Sequence, residues 1–158
     1  MTELSWQQFA SARPDLAEGG KSLLYQFGVG LAFLSTVRPD GGPRLHPVCP
    51  LLSGGRLLAH VIPSPKRADL RRDPRYALHS FPTDGNEDAF YLTGRAEPVS
   101  DRELTAAATA QWLSERGMAD EPADFSDGEF FEFLVGRCLL TMTTGHGDWN
   151  PRHEVWAA

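Results

Sequence analysis

A mainly β domain with peripheral helices, its six antiparallel strands closing or nearly closing into a barrel, is the fold class this sequence predicts. Three observations predict it. Short strand-like runs follow one another at hairpin spacing, and clusters of Gly, Pro, Asp or Ser separate them. No strand–helix–strand alternation long enough for a doubly wound sheet occurs.

Ser5 is placed to cap a first helix running to about Ala12. Pro14 opens a second at its first turn, continuing through Leu23, Leu24 and Phe27 until Gly28 and Gly30 break it, so a helical lead-in spans about residues 5–27. Leu31 to Val37 is a nearly continuous apolar run ending in Arg-Pro-Asp-Gly-Gly-Pro, a strand followed by a turn. The next strand, about Arg44 to Leu52, alternates Arg44, His46, Val48 and Pro50 with Leu45, Pro47, Cys49 and Leu51, and its prolines suit an edge or a bulge. After Ser53-Gly54-Gly55 a third strand covers Arg56 to Ile62, and Pro63-Ser64-Pro65 leads into a short helix stopped by Asp73-Pro74. Tyr76–Phe81 and Phe90–Val99 are the fourth and fifth strands, with Gly94 a bulge in the fifth. Ser100 with Glu103 reads as a capping box for a helix carrying Leu104, Ala107, Ala108 and Trp112 until Gly117. Phe130 to Thr143 reads as the long sixth strand, although Ser126 with Glu129 could instead cap a short helix. His153 to Trp156 reads as a short closing strand. On this reading the helices decorate a barrel.

With 158 residues, 41% of them hydrophobic, the chain suits one domain over 1–158. Cys49 and Cys138 are too far apart for a zinc knuckle and too few for a disulfide framework, so both read as reduced and buried. Neither a basic, apolar leader nor an 18-residue apolar span occurs, which makes the cytoplasm the expected compartment. A net charge of -6 argues against a general nucleic-acid binder, so any phosphate site must be local.

Ser64-Pro65-Lys66-Arg67, between a strand and a helix start, brings together a hydroxyl, an ammonium, a guanidinium and free backbone N–H groups, donors that a dianionic phosphate requires. The same residues would also make an ordinary solvated helix start. Their setting adds to the first reading. The run from Leu31 to Val37, the turn Pro39-Asp40-Gly41-Gly42-Pro43, Pro47-Val48, the strand Leu57–Ile62 and then Ser64-x-Lys66-x-x-x-Leu70-x-x-Asp73-Pro74-Arg75 resemble the pyridoxamine 5'-phosphate oxidase-like, flavin-binding split-barrel family. The resemblance covers roughly residues 20–143, and the Ser-x-Lys to Asp-Pro-Arg block is its most specific part.

The resemblance implies a six-stranded split barrel that binds FMN, with oxidoreductase activity on a small organic substrate. It assigns Ser64, Lys66 and Arg67 to the phosphate, with Arg44 as a further cation, and places His46, Pro47, Val48, Val61 and Ile62 beside the ring. Val48, Val61 and Ile62 fit ordinary barrel core equally well, and His46 is either a ring-edge donor or exposed. It also implies a homodimer with the cofactor at the subunit interface, where Trp149, Arg152, His153 and Trp156 could complete the site; Trp156 could instead simply close the barrel. A true pyridoxamine-phosphate oxidase has a longer C-terminal portion with an arginine and histidine substrate motif that Pro151-Arg152-His153 does not match in spacing, so vitamin synthesis is not expected.

No general acid, base or nucleophile stands out, as suits a protein whose cofactor carries the chemistry. The deazaflavin F420 is the alternative cofactor, its anionic tail met by Arg67, Arg71, Arg72 and Lys21 unless these are a solvated surface. A binding protein that holds flavin or haem without turnover is the alternative class, and haem would need one of His46, His60, His79, His146 and His153 as ligand. No metal site is expected, since His146-x-Asp148 with His153 reads as a Gly-rich turn. Neither a Walker loop nor Gly-x-Gly-x-x-Gly occurs.

Overall fold

A computed structural model describes residues 2–122 and 124–158. Among these residues it contains helices α1 (Trp6–Ala12), α2 (Pro14–Leu24), α3 (Pro65–Arg72) and α4 (Arg102–Glu115). The strands are β1 (Ala32–Val37), β2 (Pro43–Val48), β3 (Leu51–Ser53), β4 (Arg56–Val61), β5 (Arg75–Ser80), β6 (Ala89–Pro98), β7 (Glu129–Met142) and β8 (Arg152–Ala157). The mainly β, antiparallel class is as expected. The strand count is eight rather than six, because the predicted second strand divides and the closing segment pairs fully.

The sheet runs β2-β1-β5-β6-β7-β4-β3, with β8 on the remaining length of the β7 edge beyond β4. Its first and last strands, β2 and β3, are joined by Cys49-Pro50 alone. Three chain steps span at most about 11 Å, so the sheet must curl until its two ends nearly meet. Pro50 breaks the ladder there, and Gly30 accommodates the break: a Cβ on Gly30 would lie 1.8 Å from the Pro50 carbonyl oxygen. β3 and β4 form a tight hairpin through Gly54 and Gly55, whose φ values of 57° and 74° suit the primed turns that match strand twist. The expected irregularity at Gly94 is present, but the register skips Gly136, so the extra residue is on β7. Glu129 is in that strand, which excludes the helix that Ser126 and Glu129 could have capped.

The helices are more than decoration. Ser5 and Gln8 form the capping box that starts α1, Pro14 is the first residue of α2, and α2 stops at Leu24, short of the expected Phe27. These two helices bring Trp6, Phe9, Leu16 and Leu24 into one core with Leu34, Leu57, Leu78, Phe90, Leu92 and Phe133. α4 is capped by Asp101, not Ser100: its carboxylate accepts from the backbone N–H groups of Glu103 and Leu104. Leu104, Ala108 and Trp112, one stripe of α4, form a smaller core with Leu51, Leu58 and Phe130. Among the described residues no helix is long and apolar enough to cross a membrane.

Candidate cofactor site

Ser64 caps α3. Its Oγ accepts from the Arg67 backbone N–H at 3.4 Å and donates to the Ile62 carbonyl at 2.8 Å. The hydroxyl proton is therefore engaged within the loop, and Pro65 has no N–H to offer. Any recognition of an anion at this helix start falls mainly to side chains.

The cations around α3 differ sharply in their commitments. Asp69 is buried on the inner side of α3 and collects three groups: Thr36 Oγ1 at 2.9 Å, Arg44 Nε at 2.6 Å and the Arg72 guanidinium at 3.2 and 3.3 Å. Burial acts to raise its carboxyl, but the hydrogen bonds from Arg44, Thr36 and Arg72 outweigh it and hold the group below the ordinary carboxylate value. Arg71 makes a two-pronged pair with Glu129, both contacts at 2.8 Å. Arg67 donates to the Asp127 carbonyl at 2.9 Å. Lys66 makes no hydrogen bond or ion pair among the described residues.

Lys66 also lines an apolar pocket of about 380 Å³, walled by Pro47, Val48 and Cys49 at the end of β2, by His60 and Ile62 from β4 and the residue after it, and by Trp112, Asp124 and Phe125. Four of the residues singled out from sequence, Pro47, Val48, Ile62 and Lys66, thus share one wall system. Ser64 and Arg67 line an adjoining groove of about 460 Å³ with Ala68, Arg71 and Arg72. His46 faces the same side of β2 as Arg44 and Val48 and is half-buried opposite Leu34, outside the pocket. The Val61 side chain is in the core with no exposure. Trp156 pairs with Cys138 and packs on Phe9, ring centroids 5.1 Å apart. It is eight residues along β7 from Phe130, the partner of His60, or roughly 25 Å at the rise of a strand. Within one chain it stands apart from the pocket.

Trp112 and Phe125 were not singled out as site residues from the sequence, and His60 was named only among five histidines open to haem. The three form an aromatic chain: Trp112 meets Phe125 edge-on at 5.4 Å, and Phe125 meets His60 at 4.6 Å. Arg116 lies over the Trp112 ring, 3.9 Å from its centroid. His60 Nε2 is 3.2 Å from the Phe125 carbonyl, which can only accept, so Nε2 carries the proton. Desolvation lowers the His60 pKa below the ordinary 6.5, with the Phe125 bond opposing and Arg67 adding to the shift. The neutral ring is thus favoured in the fold, and its contribution to stability, present at higher pH, is lost as pH falls below that value.

Gly128 makes room for this arrangement, since a Cβ there would lie 2.2 Å from His60 Cε1 and Nε2. Gly128→Ala is expected to displace the ring and destabilise the protein by about 1–3 kcal/mol, the usual cost of overpacking. NMR titration should show the imidazole pKa moving back up in that variant. An unchanged His60 titration and an unchanged urea midpoint would show that the ring is not held there.

A curled antiparallel sheet with a cation-edged apolar pocket at the junction of β2, β4 and α3 defines a split barrel. A family model described as pyridoxamine 5'-phosphate oxidase matches residues 28–140, and the chain belongs to that family. No curated protein matches it. Among solved structures it is similar to a heme binding protein from Mycobacterium smegmatis, with 23% identity and a TM-score of 0.67 over 92% of this chain and 59% of that one. The chain therefore spans about three fifths of that relative's length. It is also similar to an F420 reductase, with 22% identity and a TM-score of 0.54 over 68% of this chain and 87% of that one. HutZ, a heme storage protein from Vibrio cholerae, is 14% identical with a TM-score of 0.56 over 78% of this chain and 89% of that one. At these identities the likeness is one of fold.

Proposed function

We propose that the protein is a flavin-type oxidoreductase acting on a small organic substrate, with FMN as its cofactor. The ring would lie in the pocket of Pro47, Val48 and Ile62, and the phosphate at Lys66 and Arg67. One observation carries this reading: Lys66, the cation of the α3 cluster left without a partner among the described residues, stands in the wall of an apolar pocket sized for a planar ring. An apolar wall with an unpartnered cation at its rim suits a ligand that is flat and apolar at one end and anionic at the other, with the anionic end at Lys66 and away from Asp124, the carboxylate in the same lining. The bound cofactor would supply hydride or electron transfer, and the protein would supply binding, orientation and electrostatics.

The pairing of two of the four cations named for the F420 tail favours FMN over F420. Arg71 and Arg72, which could otherwise meet the long anionic tail of F420, are paired with Glu129 and Asp69. A compact terminal phosphate needs only Lys66 and Arg67. A second reading, a haem-binding protein without turnover, draws on His60. With Nε2–H given to a backbone carbonyl, the free lone pair is on Nδ1, and a ligating histidine whose other N–H is held by a carbonyl is oriented for its metal. Two of the fold relatives are named for heme.

A homodimer with the cofactor at its interface belongs to the same proposal. Leu45 and Ile62 are large apolar residues with 65% and 58% exposure, and Ile62 is also a pocket wall. Trp149, at 99% exposure, is the terminal aromatic free to reach a second subunit, whereas Trp156 is packed against Phe9.

Titration of the ligand-free protein with FMN, F420 and haemin tests the assignment. FMN is expected to bind most tightly. Haemin binding with a shifted Soret band and no FMN binding would favour the second reading, and binding of none of the three would remove both. Light scattering at micromolar concentration is expected to give the mass of two chains; a monomer mass would remove the dimer.

A further inference from the structure

We infer that a second and larger pocket, between α4 and the β4–β7 edge, binds an uncharged, largely apolar small molecule. Its role as the substrate compartment rests on the cofactor reading above; its capacity to bind does not. The pocket measures about 640 Å³, inside the roughly 300–1,000 Å³ range of small-molecule sites. His60 and Phe125 line both this pocket and the Lys66 pocket. The two spaces are therefore neighbours across one imidazole and one phenyl ring.

The helix wall explains why the space exists. Leu104, Ala108 and Trp112 anchor α4 to the smaller core. The adjoining stripe of Thr105, Ala106, Thr109, Ala110 and Leu113 lines the pocket with mostly short side chains. Larger apolar residues there would fill the gap against Phe130 and stabilise the helix, and the sequence forgoes that.

Lining chemistry sets the class of ligand. No Lys or Arg lines the pocket, and its one carboxylate, Glu129, is neutralised by Arg71. The Thr105 and Thr109 hydroxyl protons are donated to the carbonyls of Arg102 and Thr105, at 3.0 and 2.8 Å. An anion would lose hydration and find no countercharge. An uncharged molecule with a few hydrogen-bond donors would lose little.

Nile red, a neutral apolar dye, serves as the probe on the full chain. Its fluorescence is expected to saturate at one dye per chain in the wild type and in Lys66→Ala, and to need at least tenfold more protein in Ala110→Phe, which fills the groove from an exposed position. Ala110→Phe should keep the wild-type circular dichroism and FMN affinity. If that variant does not fold, Ala106→Phe, one turn earlier and also exposed, carries the same test. The anionic dye 1-anilinonaphthalene-8-sulfonate should bind at least tenfold more weakly than Nile red. Equal Nile red affinity in the wild type and the Phe variants would overturn the site, and tighter binding of the anionic dye would overturn the ligand class. A two-chain mass that Ala110→Phe reduces to one would assign the groove to a second copy instead. Unchanged FMN binding in Lys66→Ala, with the Nile red results as expected, would remove the cofactor assignment while leaving this pocket in place.

Discussion

Phe9→Ala is expected to destabilise the protein by about 3–5 kcal/mol, the range for truncating a fully buried aromatic side chain. Phe9 has no exposure. It packs edge-on against Trp6 at 5.4 Å and at a tilt against Trp156 of β8 at 5.1 Å. The ring therefore ties the first helix to the closing strand, and its removal leaves a cavity whose lining is held by the sheet on one side and α2 on the other. Phe9→Leu, which keeps most of the volume, should cost less, about 1.5 kcal/mol or below. Urea unfolding followed by tryptophan fluorescence measures both. A loss under about 1 kcal/mol for Phe9→Ala would mean that α1 is an appendage and that the barrel supplies its own core.

Asp69→Ala is expected to cost about 3 kcal/mol, the low end of the range for removing one partner of a buried ion pair, because Arg44 and Arg72 keep contact with water. The carboxylate joins β1 through Thr36, β2 through Arg44 and α3 through Arg72, so its loss strands two guanidinium groups at the helix that presents Lys66. The pH dependence has a definite sign. The folded-state pKa of Asp69 is below the ordinary 3.8, so its contribution is present above that value and is lost as pH falls toward the folded pKa. Asp69→Asn should therefore be destabilised at neutral pH and lose less further stability on acidification below pH 4 than the wild type does. An Asn variant that follows the wild-type acid profile, offset by a constant, would show that this carboxylate does not set the acid limb.

The hairpins were legible because their turns are local chemistry. Gly54-Gly55 and Arg38-Pro39-Asp40-Gly41-Gly42 specify tight reversals whatever surrounds them, whereas the faces of β2 were not legible, since apolar Leu45 is exposed and Arg44 and His46 are half-buried. The start of α3 was legible for the same reason, since Ser64 and Pro65 are a cap and a first-turn residue in sequence before they are so in space. What was lost depends on distant neighbours. Nothing near Asp69 in sequence announces that Arg44, 25 residues earlier, will claim its carboxylate, so both Arg44 and the helix arginines read as free cations. His60, Trp112 and Phe125 come from a strand, a helix and a loop, and only the fold makes them one wall. The first two helices read as decoration because an amphipathic helix shows in sequence that it buries one face, but not what it buries that face against. The missed strand boundary at Cys49-Pro50 depends on Pro50 pressing against Gly30 across the barrel seam.

The central claim is that Lys66 supplies the charge that fixes an anionic, flat cofactor in the pocket of Pro47, Val48 and Ile62. Titrating FMN into the wild type and Lys66→Ala under the same conditions tests it most directly. The lost hydrogen bond to a charged group should weaken binding by about 1.5–3 kcal/mol, or roughly 10- to 150-fold, while urea stability stays within about 0.5 kcal/mol of wild type. Equal FMN affinity in the two proteins would contradict the assignment.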